Sequence, residues 1–411
     1  MINSTALIET LAIGLVSAFL GGILAQRLRL PVLVGYLMAG VAVGPFTPGL
    51  VADTGTAKQL AELGVILLMF GVGIHFSLSD LLAVRSVALP GAVGQIAIAT
   101  IIGIGIGALL GWGVVGGLIL GLALSVASTV VLLRALEMRG ELDSEYGRVA
   151  IGWLIVEDLF TVVALVMLPS LAPILLGEGG DVGTLAANLA FSVVRFVAFT
   201  ALMLALGRRI IPRLLLSVRA SGSRELFTLS VLAVAIGIAA IAYTAFGVSF
   251  ALGAFLAGVV LNESAVSHEA AREALPLRDA FSVLFFVSVG MLFDPGFLLS
   301  EPLAVVLVAL LVVVGKSLAA FLIVLALRRP IRLALTVAAA LSQVGEFSFI
   351  LATLALSLGL VPAEAFQLIV AAALISITLN PLLFRLTDGL GLRLSVGRSA
   401  SARVAPRTPR R

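Results

Sequence analysis

The feature that most constrains this chain is a series of thirteen hydrophobic segments separated by short polar loops. They cover residues 10–26, 31–47, 63–77, 87–110, 113–133, 149–168, 189–207, 226–246, 248–262, 280–293, 303–327, 333–357 and 365–384. A helix that crosses a membrane needs about 20 apolar residues. Only 12% of the residues are charged, whereas soluble domains carry about a quarter. The sequence therefore predicts an all-α polytopic membrane protein and excludes a soluble enzyme, a nucleic-acid-binding module and a disordered scaffold.

The basic residues of the loops lie almost entirely on one side of the predicted membrane. Outside the hydrophobic segments, 23 of 24 basic residues fall in alternate loops and in the C-terminal tail, and Lys58 alone falls on the other side. Cytoplasmic loops of membrane proteins are enriched in Lys and Arg. We therefore expect an N-terminus outside, a cytoplasmic C-terminus and an odd number of spans.

An odd number of spans suits an inverted repeat, in which six spans, a linker span and six further spans place the second half upside down. The fifth span of each half carries small polar residues at which a helix can unwind. These are Ser125, Ser128 and Thr129 in segment 113–133, and Ser342, Gln343, Gly345 and Glu346 in segment 333–357. Because interruptions at matching positions mark the transport site of many secondary transporters, we expect the site here.

Charged residues are rare inside the predicted spans, which contain only Glu157, Asp158, Arg195, Lys316 and Glu346. A charge at this depth is costly, so it usually faces a cavity or a partner. Arg195 lies near enough to the end of its segment to reach the outer surface, which favours a structural role. The other four are candidates for ion binding.

The adjacent acids Glu157 and Asp158 point about 100° apart on a helix, so they cannot both face one ligand squarely. We expect one carboxylate to meet the ion, for which proton and cation compete, and the other to pair elsewhere. Lys316 can neutralise a carboxylate and, unlike Arg, can release its proton when buried. Glu346 follows a predicted helix break, where it compensates helix dipoles or lines the pathway. Structural roles for Lys316 and Glu346 stay open.

Ordered motifs run through nearly the whole hydrophobic part of the chain. They include ELGVILLMFGVGIHFS at 62–77, ASTVVLLRAL at 127–136, IGWLIVEDL at 151–159, SFALGAFLAGVVLNES at 249–264, LPLRDAFSVLFFVSVGMLFDP at 275–295, VGKSLAAF at 314–321 and SQVGEFSFIL at 342–351. Together they resemble the monovalent cation:proton antiporter-2 family, which includes the Kef-type potassium efflux proteins, and within it the YbaL branch.

The resemblance implies a sodium/proton-antiporter-like fold of about 13 transmembrane helices. This fold has an inverted 6+1+6 repeat and two crossed broken helices, here at Thr129 and Gly345. The resemblance also implies a homodimer, in which a scaffold holds the interface and a mobile core contains the helices near 87–168 and 303–384. Residues 1–394 would form the exchanger domain, and the Ser/Ala/Pro/Arg-rich residues 395–411 a disordered cytoplasmic tail.

The activity implied by the resemblance is secondary active antiport in a bacterial inner membrane, where K⁺ or Na⁺ is exchanged for protons by alternating access. No enzyme activity and no cofactor are expected. The family's acid pair makes Asp158 the carboxylate that binds a proton or a cation. Oxygen ligands suit hard cations, so Ser128 and Thr129 would complete the cation site. Glu157 would then pair with Lys316.

Three further polar residues, Ser125, Ser342 and Gln343, are candidates for lining the pathway. Glu157 stands where Kef-type proteins carry Gln and sodium-type relatives often carry Asp, so K⁺ and Na⁺ both stay open. We expect membrane lipid and a second copy as partners, no nucleic acid, and no nucleotide-binding regulatory domain in this chain. A cation channel without proton coupling and a sodium-coupled organic-anion symporter on a related fold remain alternatives.

Overall fold

The computed structural model describes residues 6–48, 52–75, 78–142, 144–177, 182–262 and 264–402, and these are built from helices. The α-helices are α1 (Ala6–Arg27), α2 (Val32–Ala42), α3 (Thr54–His75), α4 (Leu78–Leu109), α5 (Gly113–Ser125), α6 (Thr129–Met138), α7 (Glu145–Leu175), α8 (Val182–Leu202), α9 (Arg208–Ala220), α10 (Arg224–Phe246), α11 (Phe250–Asn262), α12 (Ser267–Met291), α13 (Phe297–Ser300), α14 (Pro302–Leu310), α15 (Ser317–Ala326), α16 (Ile331–Leu341), α17 (Glu346–Ser357) and α18 (Ala363–Ala402). Two π-helical turns, Met203–Gly207 and Leu311–Lys316, join α8 to α9 and α14 to α15.

Helices that can cross a membrane account for the predicted hydrophobic segments. Among the described residues, nine helical stretches are long and apolar enough to span a membrane, with α5–α6 and α14–α15 each taken as one. The pair α16 and α17 is long and apolar enough when taken together but is bent by 47° at its break, and α2 and α11 are shorter apolar helices. With α8, each of the thirteen predicted segments has a helix or a helix pair. The prediction of an all-α polytopic membrane protein is confirmed.

Several helices extend beyond the segments predicted for them. Helix α12 begins at Ser267 rather than at residue 280, and α3 begins at Thr54 rather than at residue 63. Hydropathy marks only the apolar part of a helix, whereas the backbone hydrogen bonds continue into the polar interface. The last two residues of segment 63–77 lie outside the described residues.

The C-terminal helix also differs from the prediction. Helix α18 continues to Ala402 and so includes residues 395–402, where the composition predicted disorder. The two Ala residues and Arg398 favour helix, which offsets the Ser and Gly in this stretch. The disorder predicted for 403–411 concerns residues outside those that the structure describes.

The helices pack in two groups. In the first group, α3 packs against α12, α11 and α10. Helix α12 also packs against α2, and α1 packs on α2. In the second group, α4, α5 and α7 pack with α15 to α18, and α14 packs on α18. Helices α8 and α9 connect the groups, since α8 contacts α7 and α9 contacts α10. The broken helices α5–α6 and α16–α17 both belong to the second group.

Close helix crossings within each group depend on glycine. A Cβ atom on Gly73 of α3 would collide with the carbonyl of Phe255 in α11, and one on Gly258 would collide with the carbonyl of Phe70. Small residues let two helix backbones approach closely, which gains packing where the surrounding lipid is as apolar as the side chains. Helices α3 and α11 therefore meet backbone to backbone at this pair of glycines.

Candidate functional site

Two helix breaks meet at the centre of the second group. The first covers residues 126–128, between α5 and α6, and the second covers 342–345, between α16 and α17. The Gly345 amide donates a hydrogen bond to the Val126 carbonyl at 3.1 Å, which joins the breaks through their backbones. A Cβ atom on Gly345 would collide with the carbonyl of Ala127, so this contact requires glycine. The predicted crossed pair of broken helices is therefore present.

The side chain of Gln343, a residue of the second break, forms hydrogen bonds to backbone of the first break. Its Oε1 accepts the Ser128 amide at 2.9 Å, and its Nε2 donates to the Ser128 carbonyl at 3.1 Å. The Ser128 hydroxyl in turn accepts the Val131 amide at 3.3 Å and caps the first turn of α6. Gln343 thus satisfies backbone groups that the break leaves without helix partners, and its role in lining the pathway stays a prediction.

Two side chains of helix α18 form hydrogen bonds to the second break and the end of α16. Asn380 Nδ2 donates to the Ala339 carbonyl at 2.8 Å and to the Ser342 hydroxyl at 3.1 Å. The Ser376 hydroxyl accepts the Val344 amide at 3.3 Å. Irregular backbone at membrane depth persists only where protein or water meets its polar groups, and these side chains do so. Sequence reasoning missed both, although an Asn in the apolar segment 365–384 was a usable signal.

Glu157 holds the first break. Its carboxylate, which is fully buried on α7, accepts the Ala127 amide at 2.9 Å and Gln95 Nε2 at 2.5 Å. Gln95 Nε2 also donates to the Ser125 carbonyl at 3.2 Å, at the end of α5. Gln95 was also missed, although a single amide in the apolar part of α4 (Leu78–Leu109) could have marked it. Both acceptors of this amide belong to the break or to the acid that supports it.

Lys316 supports the second break rather than pairing directly with Glu157. Its Nζ donates to the Gln343 carbonyl at 3.1 Å, and the residue ends the π-helical turn Leu311–Lys316. Within the described part of the chain, no ion pair of 4.0 Å or less joins Lys316 to Glu157, although their charges interact. Each group forms its hydrogen bonds at a helix break, and the pairing of Glu157 with Lys316 stays a prediction about their charges.

Asp158 and Glu346 present carboxylate oxygens that lack hydrogen-bond partners. Asp158 Oδ2 accepts the Thr129 hydroxyl at 3.1 Å, while its Oδ1 is buried without a partner. Neither Glu346 oxygen makes a hydrogen bond of normal geometry, although Ser128 and Asp158 lie near enough to interact with this carboxylate. Buried anionic oxygens without partners are strongly unfavourable. Binding of a proton or a cation to these carboxylates would therefore be favourable.

Two of the predicted pathway residues donate their hydroxyl groups to backbone of their own helix. The Ser125 hydroxyl donates to the Leu122 carbonyl at 2.7 Å, and the Ser342 hydroxyl donates to the Ala339 carbonyl at 2.8 Å. Both bonds stay within the last turn of their own helix, as is common for serine. The structure therefore brings Asp158, Thr129 and Glu346 together, whereas the hydroxyls of both serines bond to backbone of their own helix. A pathway role for these serines stays a prediction.

Crossed helix breaks and buried acids at the middle of a polytopic helical bundle define a secondary transporter of the inverted-repeat class. Residues 15–386 match the profile described as "Sodium/hydrogen exchanger, transmembrane". The chain belongs to this family.

Relatives agree with this assignment. The chain is 57% identical over 390 residues to "Putative cation/proton antiporter YbaL" of Escherichia coli (strain K12), covering 94% of this chain and 70% of that protein. It is 32% identical to "K(+) efflux antiporter 4" of Arabidopsis thaliana, covering 92% of this chain and 64% of the plant protein. The predicted relationship to cation:proton antiporters of the YbaL branch is confirmed.

A solved structure supports the fold. The sodium proton antiporter MjNhaP1 from Methanocaldococcus jannaschii, at pH 8, superposes with a TM-score of 0.61. The alignment covers 93% of this chain and 97% of that one, at 17% sequence identity. Likeness at this identity concerns the arrangement of helices, and it agrees with the predicted sodium/proton-antiporter-like fold.

Proposed function

We propose that this chain exchanges a monovalent cation for protons across a membrane, with Asp158 as the carboxylate that binds either one. Family membership supports cation/proton exchange, and so do relatives named as a cation/proton antiporter and a potassium efflux antiporter. Both K⁺ and Na⁺ are retained as cargo. Because the proton and the monovalent cation compete for one carboxylate, the movement of one is coupled to the movement of the other.

The unpartnered oxygens beside Thr129 carry this proposal. Asp158 Oδ1 and both Glu346 oxygens are buried and lack hydrogen bonds, while Asp158 Oδ2 already has the Thr129 hydroxyl. A monovalent cation would find carboxylate and hydroxyl oxygens here, which are the ligands that hard cations prefer. A proton on Asp158 would remove the same unfavourable charge, so each occupant displaces the other.

The remaining polar residues would position this site. Glu157 and Gln95 would hold the first break, while Lys316 and Gln343 would hold the second. Ser128 would serve both as the cap of α6 and as a neighbour of Glu346. Lys316 would also balance the negative charge of Glu157 across the site.

The two packing groups suit alternating access. Helices α1–α3 and α10–α12 would form a scaffold that also holds a homodimer, and α4–α7 with α14–α18 would form the mobile core. Movement of the core would expose Asp158 to one side and then to the other. In a bacterial inner membrane, the arginine-rich loops would face the cytoplasm and the N-terminus would lie outside.

The test is cation-driven proton movement in proteoliposomes that contain a pH-sensitive dye. We expect wild-type protein to change the internal pH when K⁺ or Na⁺ is added, and Asp158→Asn to abolish the change. Glu364→Gln, which removes an exposed acid at the start of α18, should leave it intact. Cation flux without a pH change would indicate a channel, and flux that requires an organic anion would indicate a symporter. Exchange that survives in Asp158→Asn would reject the proposed site.

A further inference from the structure

A second site candidate lies at the junction of the two packing groups. A cavity of about 460 Å³ opens between the α1–α2 turn on one side and α6 with α18 on the other. Much of its wall is apolar, including Pro31, Val131 and Phe384. One end reaches Asn380, the residue whose amide supports the second helix break. The cavity thus touches both the proposed scaffold and the proposed core.

The charged part of this cavity is entirely basic. Among the described residues that line it, four are arginines, Arg29, Arg134, Arg139 and Arg385, none is Asp or Glu, and the other polar ones are neutral amides. Arg139 is already engaged, since it pairs with Glu141 at 3.2 Å and lies over the Phe384 ring. For the side chains of Arg29, Arg134 and Arg385, the described residues provide neither an ion pair nor a hydrogen bond. Three guanidinium groups around an apolar cleft therefore lack a counter-charge from the part of the chain that the structure describes.

The ligand that fits this cleft has both a phosphate and an apolar part. A guanidinium group matches phosphate oxygens with two parallel hydrogen bonds, which makes arginine the usual side chain for phosphate recognition. Basic pockets between transmembrane helices on the cytoplasmic side suit anionic lipid headgroups. The apolar wall beside the arginines would accommodate the start of an acyl chain. A free phosphate ion would use the arginines and leave the apolar wall uncovered.

We propose that this cleft binds the phosphate headgroup of an anionic phospholipid from the leaflet on the arginine-rich side. Because the cleft is bounded by α1–α2 and by α6 and α18, a bound lipid would link the two groups and slow the movement of one past the other. This consequence rests on the proposed alternating-access function, whereas the binding itself does not. The lipid would therefore act as a regulator of exchange from outside the ion site.

The experiment is native mass spectrometry of the full chain in detergent, titrated with phosphatidylglycerol or with phosphatidylcholine. The triple variant Arg29→Gln/Arg134→Gln/Arg385→Gln removes the three cavity arginines without a protein partner. Arg27→Gln/Arg209→Gln/Arg213→Gln removes the same charge from exposed positions outside the cavity. We expect phosphatidylglycerol binding to weaken about tenfold or more in the cavity variant, because each lost charge-assisted hydrogen bond contributes substantially. The control triple should bind as the wild type does.

Equal phosphatidylglycerol binding by the two triple variants would overturn the site. Thermal unfolding in detergent without added lipid shows whether the cavity variant is folded. If it is not, Arg134→Gln alone replaces it, and phosphatidylglycerol binding equal to that of the control triple would again overturn the site. Stabilisation of the wild type by inorganic phosphate to the extent given by phosphatidylglycerol would overturn the lipid assignment. Asp158→Asn should still bind phosphatidylglycerol, so failure of the exchange proposal and failure of the lipid proposal give different results.

Discussion

The two helix breaks have similar shapes but opposite chemistry. At the first break, the acid Glu157 accepts the Ala127 amide, and the amide of Gln95 caps the Ser125 carbonyl. At the second break, the base Lys316 caps the Gln343 carbonyl, and Gly345 begins α17 without a side-chain cap. The buried charge that bonds to the first break is thus an anion at a backbone N–H group, and the buried charge that bonds to the second is a cation at a backbone carbonyl.

The difference follows from the helix ends that each charge meets. The beginning of a helix carries partial positive charge and its end carries partial negative charge. Glu157 lies at the amides that lead into α6, and Lys316 lies at the carbonyl just beyond α16. Asp158 and Glu346 also lie near helix beginnings, at Thr129 of α6 and in the first turn of α17. Asp158 Oδ1 and both Glu346 oxygens nevertheless lack partners, while other side chains bond to the Ala127, Ser128 and Val344 amides of the breaks.

The largest effect is expected from Gly345→Ala, which acts on the contact that joins the breaks. The new Cβ atom would meet the Ala127 carbonyl, and backbone must move to relieve an overlap of this kind. We expect a loss of stability of about 3 kcal/mol, at the upper end for overpacking, together with loss of exchange. Gly105→Ala in α4 is the matched control, because nothing lies within 4 Å of its added Cβ. Equal unfolding temperatures for both variants would show that the breaks do not need their close approach.

Lys316→Gln tests the cation side of the comparison. It removes the charge at the second break and weakens the hydrogen bond to the Gln343 carbonyl, which is expected to cost about 2 kcal/mol of stability. We also expect a changed number of charges moved per cycle, measured as the response of exchange to an imposed membrane potential. Lys58→Gln alters the other lysine of the chain, which is exposed, and should have no effect. A Lys316→Gln protein with unchanged stability and transport would remove this residue from the mechanism.

Gln95 and Glu157 should act as a unit on the anion side. In a double-mutant cycle of Gln95→Leu and Glu157→Gln, we expect a coupling energy of about 1–2 kcal/mol in unfolding, because the two side chains share a hydrogen bond. Thr100→Val in α4 is the control partner, since its hydroxyl bonds only to the Ile96 carbonyl. If both cycles are additive, the amide of Gln95 does not hold the acid.

The smallest effect is expected at the ion site itself, from Thr129→Val. Loss of the hydroxyl that donates to Asp158 Oδ2 should change the apparent cation affinity about fivefold, for a hydrogen bond of about 1 kcal/mol. Thr129→Ser keeps the hydroxyl and should behave as the wild type in the same concentration series. An identical affinity for Val and Ser would mean that Thr129 serves α6 rather than the ion.

Much of this arrangement could be predicted from the sequence because its signals are local. Runs of apolar residues predicted the spans, and small polar residues within 113–133 and 333–357 predicted the breaks. The rarity of charge within the spans directed attention to Glu157, Asp158, Lys316 and Glu346. Helix ends were less predictable, as α12 illustrates, because a helix continues where the hydropathy signal stops.

The partners of the polar groups could not be predicted in the same way. Ser128 and Gln343 are 215 positions apart in the chain, and Gln95 and Glu157 are 62 apart. Nothing in a single sequence states that these positions meet. Glu157 and Lys316 illustrate this, since their opposite charges were visible in the sequence and their hydrogen bonds to the Ala127 amide and the Gln343 carbonyl were not.

The sequence by itself determined that the chain crosses a membrane many times, where its helices are interrupted and which buried charges must find compensation. Those properties follow from the transfer of residues into an apolar phase, which depends on composition over short stretches. Only the tertiary structure decided that Glu157 and Lys316 serve the breaks while Asp158 and Glu346 keep oxygens without partners. That division depends on hydrogen-bond geometry between distant segments, which exists only once the two broken helices cross.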